Sequence, residues 1–174
     1  TAAEIRLDRY APHLRELRLL AERYAPRLRA GQFYSHDTAL ALREVPTPDG
    51  WVPTLHVSAY RPHSGPAARG VTGHRLQART LAWRVIDGLP VEDPVRAWAQ
   101  VSGRWCEDDL IAAADSLVLR KRGLATIEEL RAEASLMRGR ALDGVLGLVR
   151  DGAESFRETT LRLACHRAGL PEPI

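Results

Sequence analysis

The spacing of the hydrophobic residues changes period twice along this chain, and these changes constrain its fold more than any other feature. Before about residue 51 and again after Asp93, hydrophobic residues recur every three or four positions, as in amphipathic helices. Between them, the segment 55–60 (LHVSAY) alternates with a period of two, which is typical of a half-buried strand. We therefore expect an α+β fold. A small antiparallel sheet from about residues 51–92 would be flanked by helices and followed by a helical C-terminal array.

Capping and turn residues set the boundaries of the individual elements. The predicted elements are helices over 12–24 and after Ser35, strands over 55–60 and 71–76, a hairpin over 83–91, and five helices between Asp93 and residue 168. Asp87-Gly88 suits the tight hairpin turn, which needs positive φ. Pro90 would place the second hairpin strand at a sheet edge, because proline cannot donate to a ladder.

The helical part supplies much of the predicted core. Trp98, Val101 and Trp105 recur on one face of its first helix, and Leu117 lies on the apolar face of the second. We expect Trp98 and Leu117 to be buried. Thr126 is expected to cap the third helix.

Composition is that of a globular domain. With 174 residues and 45% hydrophobic content, the chain can form a core without metals or disulfides. No run reaches the roughly 18 apolar residues of a membrane span, and charged residues between positions 4 and 9 are unlike a secretory signal. We expect a cytoplasmic location, no membrane partner, and free thiols at Cys106 and Cys165 rather than a disulfide.

Three histidines fall in the β part of the chain: His56, His63 and His74. A zinc site normally adds cysteine or carboxylate ligands at close spacing, and the sequence offers none nearby. We interpret these histidines as structural or surface residues, and we expect no metal and no cofactor.

The segment Ser35-His36-Asp37 contains the three residue types of a hydrolase triad. Consecutive residues cannot face one another as a relay, so we interpret Ser35 as an N-cap and Asp37 as a first-turn carboxylate. The sequence contains no nucleophile elbow, P-loop or dinucleotide-binding fingerprint.

The main functional signal is a stretch without acidic residues. Residues 51–86 contain no aspartate or glutamate and five arginines, namely Arg61, Arg69, Arg75, Arg79 and Arg84. Guanidinium groups grip phosphates bidentately, and the interleaved aromatic residues Trp51, Tyr60 and Trp83 offer faces that stack on bases. We predict a surface for duplex DNA or an acidic protein.

The arrangement of these arginines depends on where the strands end. If the second strand extended past residue 76, Arg75, Gln77 and Arg79 would share a face, and Arg84 would join them from the hairpin. The alternative is a solvated sheet face that helix carboxylates such as Asp108 and Asp109 cover and neutralise.

Several short motifs resemble, in their order and spacing, a family of actinobacterial proteins. They are residues 35–39 (SHDTA), 70–75 (GVTGHR), 87–96 (DGLPVEDPVR), 109–110 (DL) and 113–115 (AAD). This family is similar to AbiEi-type antitoxins of type IV toxin–antitoxin systems. The tail, 154–158 (ESFRE) and 167–173 (RAGLPEP), resembles the opening helix of a C-terminal Vsr-like endonuclease domain.

The resemblance implies a division into an AbiEi-like α+β domain over 1–152 and the first helix of a Vsr-like domain, or a helical appendage, over 153–174. It matches Glu158 to the glutamate of the nuclease helix. The metal-binding aspartate and the Glu-x-Lys pair that follow this helix in the family do not occur in this sequence. One carboxylate cannot hold and aim Mg²⁺, so we expect no nuclease activity from this chain.

Three functions are compatible with the sequence. The first is a non-catalytic regulatory or interaction module similar to an AbiEi-type antitoxin, which binds DNA or a partner protein such as a cognate toxin. The alternative is a fragment of a Vsr-like PD-(D/E)XK endonuclease without its catalytic core. The third is a scaffold domain without a ligand.

Overall fold

The computed structural model describes residues 12–48, 54–79, 82–137, 142–153 and 155–171. The chain divides into two compact units, residues 1–97 and residues 98–174. The turn residues Asp49 and Gly50, the aromatic residue Trp51 and the expected helix residue Glu154 lie outside the described residues.

In the described part of the first unit, a five-stranded sheet is accompanied by the helices α1 and α2. Its elements are α1 (Pro12–Tyr24), a 3-10 turn (Ala25–Arg27), β1 (Gln32–Tyr34), α2 (His36–Leu42), β2 (Leu55–Tyr60), β3 (Val71–Leu76), β4 (Arg84–Ile86) and β5 (Leu89–Val91). Buried residues at helical spacing, Leu14, Leu17 and Ala21, direct α1 toward the core. Helix α1 packs on α2, and α2 packs on β2.

The strand order is β3-β2-β1-β5-β4. This confirms the α+β class, but the expectation of a purely antiparallel sheet from residues 51–92 is wrong. The pairs β2–β3 and β1–β5 are parallel, and the central strand β1 comes from Gln32–Tyr34. All three residues of β1 are buried, so this strand has no alternating pattern by which the sequence would have revealed it.

The hairpin forms as predicted, with positive φ at both Asp87 and Gly88. Its second strand, β5, does not lie at an edge, so the expectation for Pro90 is wrong. Proline has no N–H to donate, but β5 pairs with β1 only through Val91, so Pro90 is not required to bond β1. On the other side of β5, Pro90 lies opposite Val85 on β4.

The second unit is helical. Helix α3 (Pro94–Val101) crosses the boundary between the units, and α4 (Glu107–Val118), α5 (Ile127–Ser135), α6 (Leu142–Leu148) and α7 (Phe156–Arg167) follow. Within this unit, α4 packs against α6 and α7, and α5 packs against α6. The predicted division at residue 152 is not tested by this grouping and stays a prediction.

Individual residues of the helical part follow the sequence closely. Trp98 and Leu117 are fully buried, which confirms that prediction. Thr126 caps α5 in a reciprocal box with Glu129, as expected. Trp105 lies beyond the end of α3, so it does not share a helix face with Trp98. No helix in the described ranges is long and apolar enough to cross a membrane.

Candidate functional site

The arginines singled out from the sequence are all exposed, and two of them meet at one end of the sheet. Arg61 follows β2 and Arg75 lies near the end of β3. These parallel strands end side by side, because Tyr60 pairs with Leu76. The backbone N–H of Arg61 donates to the carbonyl of Leu76 at 2.9 Å, and the guanidinium of Arg75 donates to the carbonyl of Pro62 at 3.1 Å. Arg61 and Arg75 therefore belong to one surface.

Two of the other arginines, Arg69 and Arg84, lie elsewhere, whereas Arg79 lies in the segment that follows β3. Arg84 opens β4, which is four strand spacings from β3, or about 19 Å, so the expectation that it joins Arg75 is wrong. The condition for aligning Arg75, Gln77 and Arg79 is not met either, because β3 ends one residue after Arg75. Arg69 precedes β3, at the end of that strand opposite Arg75.

A cavity of about 510 Å³ adds further basic groups at this end. Its lining includes Arg27 and Arg29, which follow α1, and His63, from the loop after β2. Gln32 joins these segments, since its amide donates to the carbonyl of Ser64 at 3.2 Å and accepts from the N–H of Arg29 at 3.0 Å. Among the described residues, no carboxylate lines the cavity.

We define the basic end of the sheet by five exposed side chains, namely Arg27, Arg29, Arg61, His63 and Arg75. Gln32 and Arg75 occupy one row of the sheet on either side of β2, which brings the two contributing loops close together. Sequence reasoning missed Arg27 and Arg29 because they lie outside the stretch without acidic residues. The pairing of β1 with β2 brings them to the end of the sheet where β2 ends, and there they line a cavity together with His63.

Aromatic residues close to this end take part in core packing. Phe33 is fully buried, and its ring centroid lies 4.8 Å from that of Tyr60 and 6.3 Å from that of Trp83. The guanidinium carbon of Arg96 lies 5.3 Å from the centroid of the Tyr60 ring, and Arg96 also donates to the carbonyl of Gln77. Burial raises the pKa of Tyr60, and the charge of Arg96 opposes this shift. These contacts hold the chain that leaves β3 against the first turn of α3.

The loop between β2 and β3 packs at close range on β3, over the face to which a side chain at position 73 would point. A Cβ atom on Gly65 would lie 2.5 Å from the backbone nitrogen of His74, and a Cβ atom on Gly73 would overlap the carbonyl oxygen of Pro66. Both contacts are to backbone, which cannot rotate away. The loop therefore packs closely against the backbone of β3 at Gly73 and His74, and both glycines are required for this approach.

We expect Gly73→Ala to destabilise the protein by about 1–3 kcal/mol, because the added methyl group must displace the loop or the strand. Chemical unfolding followed by circular dichroism measures this loss. Gly147→Ala is the matched control, because Gly147 is exposed on α6 and a Cβ atom there meets nothing within 4 Å. A Gly73→Ala variant as stable as wild type would show that the loop does not pack closely against β3.

Three histidine side chains come together on the face of β2 and β3 opposite the one that carries Arg75. Nδ1 of His56 and Nε2 of His74 are 2.8 Å apart, and the rings of His36 and His74 stack with centroids 3.8 Å apart. One nitrogen from each of His36, His56 and His74 lies within 4.8 Å of the others. His36 and His56 are buried and His74 is partly exposed. We call these three residues the histidine cluster.

Ser35 and Asp37 contact two of the three rings of the histidine cluster. Ser35 precedes α2 as predicted, but its side chain does not cap the helix. Its hydroxyl instead lies 2.9 Å from Nδ1 of His36 and accepts a hydrogen bond from Ser58 at 2.6 Å. The Asp37 carboxylate lies 3.5 Å from Nε2 of His56. Because Ser35 is fully buried, it cannot meet a substrate as a nucleophile in this arrangement.

The composition of the cluster differs from the sequence grouping. His63 is exposed and lines the cavity, whereas His36 takes the third place beside His56 and His74. His56 and His74 were identifiable as neighbours from alternation on two strands. His36 was not, because its approach depends on the central position of β1.

Glu158 lies in the first turn of α7. Its carboxylate accepts a hydrogen bond from the Ser155 hydroxyl at 3.0 Å, and its backbone N–H donates to that hydroxyl at 3.2 Å. This is the geometry of a helix cap. Within the described ranges, the histidine cluster alone brings three potential metal-binding groups together.

Comparison with known proteins finds no matching family model, no matching curated protein and no matching solved structure. The resemblance to AbiEi-like antitoxins and Vsr-like nucleases therefore stays a prediction. The basic end of the sheet and the histidine cluster are the two described features with evident chemistry.

Proposed function

We propose that this chain is a non-catalytic interaction module that binds duplex DNA through the basic end of its sheet. The observation that carries the proposal is that four exposed arginines lie at one end of the sheet. Arg27 and Arg29 line a cavity that has no carboxylate among its described lining residues, and Arg61 and Arg75 lie where β2 and β3 end side by side. Arginine contacts phosphate in a planar, bidentate geometry, and closely spaced phosphates require several such groups on one surface. The module is similar in this role to the antitoxin portion of an AbiEi-like protein.

The carboxylates considered as an alternative have partners in the helical unit. Asp108 pairs with Arg167, and a hydrogen bond from this guanidinium lowers the pKa of Asp108. Asp109 accepts from the thiol of Cys106 at 3.0 Å. Both carboxylates therefore have partners within the helical unit.

The mode of binding follows from the elements that carry the arginines. They lie in a 3-10 turn, in loops and near a strand end, and none of the four lies on an α-helix of the described residues that could enter a major groove in the manner of helix-turn-helix proteins. Contacts to phosphate position a protein without reading sequence. We therefore expect slight sequence preference and steep salt dependence.

The test is a titration of a fluorescently labelled duplex at about 50 mM and about 200 mM salt. If the four arginines each neutralise one phosphate, log K falls against log salt with a slope of about −3.6, or roughly 150-fold over this range. The double variant Arg61→Ala with Arg75→Ala should bind more weakly and reduce the slope to about −1.8.

Arg69→Ala with Arg84→Ala is the matched control, because it removes the same charge from positions away from the basic end. It should keep wild-type affinity and slope. Equal losses in the two double variants would indicate attraction by net charge alone. Salt-independent binding, or no binding to DNA alongside capture of an acidic protein, would contradict the proposal.

A further inference from the structure

The histidine cluster has the donor chemistry of a transition-metal site. Imidazole nitrogens suit Zn²⁺, Ni²⁺, Co²⁺ and Cu²⁺ rather than Mg²⁺ or Ca²⁺, which prefer oxygen. In zinc sites with three histidine ligands, the fourth coordination position is open to water or a carboxylate. Here the three rings come from different elements: His36 from α2, His56 from β2 and His74 from β3. The tertiary fold, rather than a local motif, assembles the set.

Hydrogen-bond partners outside the cluster determine which ring nitrogen of His56 and of His36 is available to bind a metal ion. If His56 donates its Nε2 proton to Asp37, its lone pair lies on Nδ1, the atom that faces Nε2 of His74. If His36 donates its Nδ1 proton to Ser35, its lone pair lies on Nε2. Metal-binding histidines typically have such a carboxylate or hydroxyl behind the ring, because it fixes the tautomer and raises ligand basicity.

Backbone strain at His36 supports a function for this arrangement. Its φ is 51°, in the left-handed region that is unfavourable for a residue other than glycine. His36 is nevertheless buried, with its ring stacked on that of His74. Such strain persists where the surrounding structure requires a particular side-chain position, and this occurs often at binding sites.

We propose that His36, His56 and His74 bind one divalent transition-metal ion, of which Zn²⁺ is the test case, and that Asp37 positions His56. This site is separate from the DNA surface and does not depend on it. The three rings are nearly parallel, with interplanar angles of 13–29°. An ion between parallel rings would lie outside the planes of their lone pairs, so binding requires at least one ring to turn. His74 has the room to do so, because it is partly exposed and lies on an edge strand.

The experiment uses the full chain without an affinity tag, stripped of metal with a chelator and titrated with Zn²⁺ by calorimetry. We expect one zinc ion per chain, and a Co²⁺-loaded sample should show the visible absorption of a site with nitrogen ligands. His74→Ala should weaken zinc binding by at least about 100-fold, since even outer partners typically account for about 10–100-fold. Asp37→Asn should weaken it by about 10–100-fold.

His63→Ala is the matched control, because His63 is an exposed histidine of the same unit that lies outside the cluster. It should bind zinc as wild type does. Imidazole resonances in NMR spectra of the wild-type protein provide a readout that needs no variant: those of His36, His56 and His74 should shift with zinc, and those of His63 should not. The proposal is overturned if the folded wild type takes up no stoichiometric zinc, if His74→Ala binds zinc unchanged, or if the cluster resonances stay fixed. In those cases the histidines form a hydrogen-bonded core network only.

Discussion

Replacing Asp115 by alanine is expected to destabilise the helical unit by about 3–5 kcal/mol. Asp115 lies on α4 and is 1% exposed. Its Oδ1 accepts from the backbone N–H of Arg150 at 2.7 Å, and its Oδ2 accepts from the Thr159 hydroxyl and from the Arg162 guanidinium, both at 2.8 Å. One carboxylate therefore connects α4 to α7 and to the chain after α6.

The size of the effect comes from what remains after the substitution. Arg162 is only 7% exposed, so Asp115→Ala leaves a buried positive charge without its counter-ion. Removing one partner of a buried pair costs more than the pair contributes, because the desolvation penalty of the other partner is no longer offset. Urea denaturation of the variant measures the loss.

Two comparisons make this measurement specific. Asp151→Ala breaks the exposed pair with Arg120 and should cost about 1 kcal/mol or less, because water screens that interaction. Asp115→Leu with Arg162→Met removes both charges and should recover part of the stability. If Asp115→Ala costs no more than Asp151→Ala, the buried network does not hold α7 in place.

The sequence predicted the elements whose signals are local. Helix α1 and strands β2 and β3 have the expected bounds, because Pro12, alternation over Leu55–Tyr60 and the glycines around β3 act within a few residues. The predicted cap at Thr126 is also local, since its side chain bonds a backbone N–H three residues ahead.

Apart from the hairpin of β4 and β5, the sequence did not predict how the strands pair. Strand β1 has only three residues, yet it is the centre of the sheet and joins β2 to β5. Parallel strands are joined by long connections rather than hairpin turns, so there is no turn motif from which their pairing could be predicted. The same strand carries Gln32 to the basic end and leads into His36 of the histidine cluster. Both candidate sites therefore depend on an element that has no sequence pattern of its own.

Linear charge density was a partial guide to the basic surface. It singled out Arg61 and Arg75, which are exposed and lie at the same end of the sheet, but it also grouped Arg84 with them. Distance along the chain does not measure distance across a sheet, where each intervening strand adds about 4.8 Å. Arg27 and Arg29 are near in space and distant in sequence.

Replacing Trp98 by alanine is expected to cost about 3–5 kcal/mol, because it removes the largest fully buried side chain of the described core. The indole Nε1–H donates to the carbonyl of Leu110 at 3.0 Å, which ties α3 to the first turn of α4. Trp98→Phe separates the two contributions. It keeps much of the ring volume and leaves the Leu110 carbonyl without this donor, so its loss should be nearer about 1–3 kcal/mol. Thermal and urea unfolding should agree on this order. A Trp98→Ala variant that loses less than about 1 kcal/mol would show that the core of the helical unit does not depend on this side chain.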